Sequence, residues 1–260
     1  MSRFIAAVAV VVLIAGTAPA AVVTKVVDYE FDGTKLKGYL AYDDALKGKL
    51  PGVLVVHEWW GLNDYARERC QKLAELGYVA FAVDMYGDGK TVDHPDDARK
   101  MATTVRENIK TWRGRGEAGL KQLTSQPNVD AGKIAAIGYC FGGSTCLQLA
   151  YSGADLKAVA TFHAALPTPT ADEAKAIKPK LYIAHGADDP FIPAKAITAF
   201  KEALDAAKVK YTFEAFPGVV HSFTVPGADK ANIKGMKYDK AADEKSWKEM
   251  QSLFKETLGK

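Results

Sequence analysis

The chain has 260 residues, of which 48% are apolar and 25% charged, with a formal net charge of +3. That length suffices for one substantial core, and the composition excludes a fibrous or disordered chain. The lysines are interspersed with acids, as at Lys230, Lys234, Lys237 and Lys240 beside Asp229, Asp239 and Asp243, which excludes a phosphate-tracking stripe and a nucleic-acid module.

The first twenty residues stand apart. Arg3 precedes an apolar run from Phe4 to Ala15, and Ala18-Pro19-Ala20 supplies an A-x-A cleavage pattern. The composition predicts a secretory signal peptide over 1–20 and a mature, exported chain starting near Ala21, in the periplasm or secreted. The run is short for a membrane span, the alternative reading being an uncleaved anchor. Val22 to Phe31 and Leu36 to Ala41 then alternate apolar and polar residues across Asp32-Gly33, which predicts an antiparallel edge hairpin. Val53 to Val56 is a β-branched run of the kind buried in a parallel sheet. A helix follows from Asn63 or Asp64 to Gly77, carrying Ala66, Cys70, Leu73 and Ala74 at helical spacing. Val79 to Val83 is the next strand, and Asp84 to His94 is a Gly- and Asp-rich loop. Pro95 to Leu123 reads as helix interrupted around Gly114 and Gly116. Strands at Ile134 to Ile137, Ala158 to Phe162, Leu181 to Ala184 and Tyr211 to Phe216 complete the pattern. A helix from Pro193 and a last one bearing Trp247, Met250 and Phe254 lie among and after them. Alternation of this kind implies one α/β domain over 21–260, a mostly parallel sheet with helices on both faces. Ligand sites in such sheets lie beyond the carboxyl ends of the strands.

Reactive residue types gather at those ends. Gly138-Tyr139-Cys140-Phe141-Gly142-Gly143 follows one strand and opens a helix-like segment from Ser144 to Tyr151. The pattern is G-x-C-x-G, the strand–turn–helix elbow that presents a nucleophile, although a buried cysteine also serves as a small apolar filler. Asp188 and Asp189 follow a later strand, and His221-Ser222-Phe223 follows the last. The order Cys, Asp, His is the one an elbow nucleophile requires. Of the five histidines, His94 lies in a polar loop and His185 in a turn where it is expected to bond backbone. His57 and His163 end strands and could face the site, but only His221 follows both the elbow and the acidic turn. Cys70 and Cys146 are expected to be buried packing residues. Gly61 stands where H-E-x-x-H would need its second histidine, and no C-x-x-C occurs, so neither a metal nor a redox centre is expected.

These stretches, with Val56-His57-Glu58-Trp59-Trp60-Gly61-Leu62-Asn63 and Asp84-Met85-Tyr86, resemble the dienelactone hydrolase family of α/β-hydrolases, over almost the whole mature chain. The resemblance implies Cys140 as nucleophile, His221 as base and Asp189 as triad acid, because Asp189-Pro190-Phe191-Ile192-Pro193 matches the family's D-x-x-[VI]-P turn. It implies backbone amides of Trp59 and Phe141 as the oxyanion hole. It also implies Glu58 as an acid that contacts the resting thiol and is displaced by substrate; the plainer alternative is a structural ion pair. Two arginines that hold the substrate carboxylate in the family are missing: Gly87 and Asp88 follow Tyr86, and Thr224 and Val225 follow Phe223. An apolar pocket of Trp59, Trp60, Tyr86, Tyr139, Phe191 and Phe223 is the expectation in their place, although each aromatic could equally belong to the core. The expected function is hydrolysis of a small-molecule carboxylic ester, lactone or thioester by a monomer. No cofactor, nucleic acid or lasting membrane association is expected. The alternative is a non-catalytic ligand-binding protein on the same fold.

Overall fold

In the computed structural model, which describes residues 22–260, one sheet of eight strands runs through the molecule in the order β1-β2-β4-β3-β5-β6-β7-β8. The signal peptide expected over 1–20 lies outside the described residues. β1 (Val22–Phe31) and β2 (Thr34–Asp43) form the expected hairpin, with Asp32 and Gly33 both at positive φ in the turn. β2 also pairs antiparallel with β4 (Val79–Val83). All remaining pairs are parallel, through β3 (Leu50–Val56), β5 (Val129–Tyr139), β6 (Ala158–Phe162), β7 (Lys180–Gly186) and β8 (Tyr211–Phe216).

The central strands are buried along nearly their whole length, as their β-branched runs require. Two separate apolar clusters cover the faces. Cys70, Leu73, Met250 and Phe254 from α1 (Asp64–Glu75) and α7 (Lys240–Leu258) belong to one. The other holds Val105 of α2 (Pro95–Arg106), Leu123 of α3 (Ile109–Thr124), Cys146 of α4 (Phe141–Tyr151) and Phe200 of α6 (Ala194–Ala206). A short helix, α5 (Ala171–Ala176), carries a capping box between Thr170 and Glu173. Cys70 and Cys146 are therefore buried on opposite faces of the sheet, and both thiols are free.

The expected helix from Pro95 to Leu123 is two helices, and the break is not at the glycines. Glu107 ends α2, and the Asn108 side chain accepts the Thr111 N–H at 3.0 Å to cap α3. Gly114, Gly116 and Gly119 instead face inward. A Cβ on Gly119 would lie 2.6 Å from Val83 Cγ2, so the missing side chain is what lets α3 lie against β4.

The chain leaves β3 to build β4 on one side and then returns to build β5 on the other. The carboxyl ends of β3 and β5 are therefore neighbours at a topological switch point, where a crevice forms outside the sheet. One end delivers His57, Glu58 and Trp59; the other delivers Cys140.

Candidate active site

Cys140 joins β5 to α4 with φ 50° and ψ −112°, a conformation costly for a residue with a Cβ. The turn is held by Cys140 N–H donating to Phe162 O at 3.0 Å and by the glycines around it. A Cβ on Gly138 would meet Gly142 O at 2.2 Å, and one on Gly142 would meet Val56 O at 2.1 Å and His57 O at 2.6 Å. Backbone cannot give way as a side chain can, so these positions admit only glycine, and the elbow rests directly on the end of β3.

His221 Nδ1 lies 2.7 Å from Asp189 Oδ2, while Asp189 Oδ1 accepts the Phe191 N–H at 2.9 Å. Asp188, the neighbouring acid, is exposed. Burial opposes a charge on His221, but Cys140 and Asp189 outweigh it and raise the imidazole from its ordinary 6.5 to about 10. Cys140 and His221 line one cavity of about 360 Å³, with Trp59, Phe191, Ile192, Ile233 and Met236 among its apolar walls. Among the described residues, neither the Trp59 N–H nor the Phe141 N–H donates to a protein acceptor. Two amides without a protein acceptor therefore belong to the segments that border the cavity, one following Cys140 and one following β3.

Glu58 is 3% exposed, and its carboxylate accepts from Ser222 Oγ at 2.9 Å. His163 Nδ1, with no hydrogen-bond partner, is 3.8 Å from the same carboxylate oxygen. Burial raises the Glu58 pKa, against the opposing influence of His221, Ser222 and Arg69. His163 is held well below its ordinary value by burial and by the positive charges of His221 and Arg69, so it is neutral.

The loop bearing His221 is fastened from behind. Thr224 Oγ1 lies 2.6 Å from Tyr65 Oη and 2.8 Å from His163 Nε2, and Arg69 donates to the Thr224 carbonyl and to Asp243 Oδ1, both at 2.7 Å. Thr224 is thus a buried hub and does not line the cavity.

Several expected pocket residues lie elsewhere. Phe191 does line the cavity, its ring 5.2 Å from that of His221. Trp60 packs against Trp59, and Tyr86 is buried with its hydroxyl donating to Trp59 O at 2.8 Å. Tyr139 is stacked on Phe162, and Phe223 packs on Phe216 and His163. Tyr86, Tyr139 and Phe223 are buried behind the wall, and half-buried Trp60 does not line the cavity. His185 has an unpartnered Nδ1 and packs near Phe213, in place of the expected backbone bond.

What sequence reasoning missed is the opposite wall. Pro95, Arg99, Ala102, Thr103 and Arg106 of α2 line the cavity, at offsets that trace one helical face. The Arg106 guanidinium lies 5.2 Å above the Phe141 ring and has no carboxylate partner among the described residues. The spacing of these residues is visible in the sequence, but nothing local says which face of α2 meets the crevice.

The model of the Dienelactone hydrolase family matches residues 36–258. The chain belongs to the dienelactone hydrolase family. It is accordingly a hydrolase of the ester- and lactone-cleaving type. A dienelactone hydrolase-like promiscuous phosphotriesterase from metagenomic libraries shares the fold with a TM-score of 0.89. That protein is 39% identical, over 92% of this chain and 99% of its own. A relative from Aquifex aeolicus, provisionally assigned as a carboxymethylenebutenolidase, is 30% identical over 203 residues, 76% of this chain and 86% of its own. Protein usf of Aquifex pyrophilus is 29% identical over 238 residues, 90% of this chain and 99% of its own.

Proposed function

We propose that the chain cleaves a carboxylic ester, lactone or thioester through an acyl-enzyme on Cys140, with His221 and Asp189 completing a triad. The observation that carries this reading is Cys140 at positive φ, sharing a cavity with a His221 whose far nitrogen is held by Asp189 at 2.7 Å. With its pKa near 10, His221 is an imidazolium at neutral pH, and it is the partner a thiolate needs.

The thiolate sulfur attacks the carbonyl carbon, and as the S–C bond forms the carbonyl π pair moves onto oxygen. The Trp59 and Phe141 amides receive that oxyanion; one such donor is worth roughly 2.7–4 kcal/mol. Collapse breaks the bond to the leaving group, which takes the Nε2 proton of His221. Neutral His221 then accepts a proton from water as the water oxygen attacks the acyl carbon. The C–S bond breaks and the thiolate–imidazolium pair is restored.

Glu58 serves as the gate of this cycle. Turned onto Ser222 it leaves Cys140 to His221; turned toward the thiol it would accept the S–H hydrogen bond and so keep Cys140 protonated and inert until substrate arrives. The α2 wall sets substrate polarity. Arg106, unpaired beside the nucleophile, and Arg99 toward the mouth favour a substrate bearing a negative charge on its acyl or leaving group. The leader-like composition of 1–20 supports an exported mature protein, and an intact mass retaining Met1 in secreted material would refute that.

The test is a panel of short p-nitrophenyl esters, a hemisuccinate ester and lactones, with Cys140→Ala as control. An aryl phosphotriester is included because the metagenomic neighbour carries that activity in its name. Thiol-dependent turnover and an acyl adduct at Cys140 by mass spectrometry are expected. Arg106→Met should raise KM for the hemisuccinate about ten-fold or more and leave that for the neutral acetate within two-fold. Absence of both turnover and adduct would favour the ligand-binding alternative.

A further inference from the structure

His57 is completely buried, and the triad chemistry does not use it. Its ring lies between Tyr86, at 5.0 Å between centroids, and Phe141, at 6.0 Å. Its nitrogens have opposite tasks. Met85 N–H donates to Nε2 at 3.2 Å, so Nε2 must carry the lone pair. The hydrogen is therefore on Nδ1, which donates to the Glu58 carbonyl at 2.5 Å. The ring is neutral, and its tautomer is set by a backbone amide that cannot change role.

The Glu58 carbonyl belongs to the same peptide plane as the Trp59 N–H. That peptide is trans, so the two bonds point in opposite directions. Whatever fixes the carbonyl thereby aims the amide. The next carbonyl is fixed as well, since Tyr86 Oη donates to Trp59 O at 2.8 Å. Two successive carbonyls are thus tied into the protein while the N–H between them has no protein acceptor. Gly61 N–H adds a longer contact of 3.4 Å to the Glu58 carbonyl, too weak to set the plane alone.

The anchor behind His57 is itself rigid. Asp84 accepts backbone N–H groups from Lys37, Tyr86, Gly87 and Gly89 at 2.8 to 3.0 Å, and Arg115 donates to the Met85 carbonyl at 2.7 Å. The loop carrying Met85 is therefore clamped, and His57 transmits that order to the end of β3. On the other side, Gly142 packs on the Val56 and His57 carbonyls, which fixes the distance between this segment and the elbow.

We propose that His57 is the positioning residue of the oxyanion hole. Donating from Nδ1 to the Glu58 carbonyl, it holds the Glu58–Trp59 peptide so that the Trp59 N–H faces the oxygen of a substrate attacked by Cys140. This rests on the acyl-enzyme reading above and adds a residue to it. A buried histidine that merely fills space would be replaceable by another flat ring; this one is not.

The experiment compares two reactions of the same thiol in His57→Phe, which keeps a ring between Tyr86 and Phe141 and removes both hydrogen bonds. Acylation by p-nitrophenyl acetate passes through an oxyanion. Alkylation by iodoacetamide forms an S–C bond as iodide leaves and involves none. The acylation rate constant should fall about 10²–10³-fold, while the alkylation rate constant stays within about three-fold. Acylation that is preserved, or both reactions slowed by one common factor, would overturn the proposal. Independently of any variant, ¹⁵N shifts of the wild-type protein should place the His57 hydrogen on Nδ1; a hydrogen on Nε2 overturns it equally. If wild-type Cys140 is acylated by no ester of the panel, the hydrolase reading fails instead, and the tautomer still decides His57.

Discussion

Asp189→Asn changes one charge and almost no volume, so its cost can be worked from the geometry around it. Asp189 uses both oxygens: Oδ1 accepts from Phe191 N–H at 2.9 Å and Oδ2 meets His221 Nδ1 at 2.7 Å. Asparagine has only one oxygen. The Phe191 amide can only donate, so the Asn oxygen belongs there and the Asn NH₂ faces His221. His221 Nδ1 must then accept, which moves the imidazole hydrogen to Nε2 and leaves no lone pair toward Cys140 or water. The variant also loses a negative charge that supports the imidazolium. A carboxylate-to-amide change that enforces the wrong tautomer costs about 10⁴-fold in rate, or roughly 5 kcal/mol of transition-state stabilisation. The assay is single-turnover acylation by p-nitrophenyl acetate at pH 8, with Asp188→Asn as the control. Asp188 is exposed, and its variant should acylate at the wild-type rate. A loss below about ten-fold in Asp189→Asn, or an equal loss in Asp188→Asn, would refute the reasoning.

Because His221 is raised to about 10, kcat/KM should show no rise through pH 6.5 and should decline as pH passes 10; an ascending limb centred near 6.5 would contradict this. Glu58→Gln should stabilise the fold at pH 8. The wild-type carboxyl has its pKa raised by burial, so the folded state holds that proton to higher pH than the unfolded chain. Wild-type stability therefore falls as pH rises above the ordinary carboxyl value of 4.5, and the amide removes this loss. Urea midpoints that coincide at pH 4 and separate at pH 8 are expected, and coincidence at pH 8 would disprove it. In the same variant, faster alkylation of Cys140 than in wild type is expected from the gating role, and unchanged alkylation and hydrolysis would remove it. Gly119→Ala gains about 1 kcal/mol of helix propensity but drives a methyl to within 2.6 Å of Val83, an overpacking worth about 1–3 kcal/mol. The net expectation is lower stability by urea denaturation, and a gain near 1 kcal/mol would show that α3 can retreat from β4.

The alternation of strands and helices, the Asp32-Gly33 hairpin, the Asn63 cap and the elbow around Cys140 were legible because each is written in neighbouring residues. So was the order of Cys140, Asp189 and His221, since strand ends in a parallel sheet converge on one edge whatever lies between them. Local signals also misled. Gly114 and Gly116 read as a helix break when spacing is considered alone, but they are where α3 touches Phe31 and Leu149. Aromatic type marked Trp60, Tyr86, Tyr139 and Phe223 as pocket residues, and neither the burial of the last three nor the absence of half-buried Trp60 from the cavity wall could be seen from type.

What the sequence alone determined, then, is a framework: Cys140, Asp189 and His221, each placed after a strand by short-range turn chemistry. The tertiary structure alone decided what surrounds them. It turned the Arg99 and Arg106 face of α2 into the cavity, made Thr224 a buried hub, and gave His57 its two fixed partners. The physical reason is range. Periodicity and turn preference act over a few residues, whereas which helix face meets the crevice and which amide meets which ring nitrogen depend on elements that approach only when the whole sheet closes.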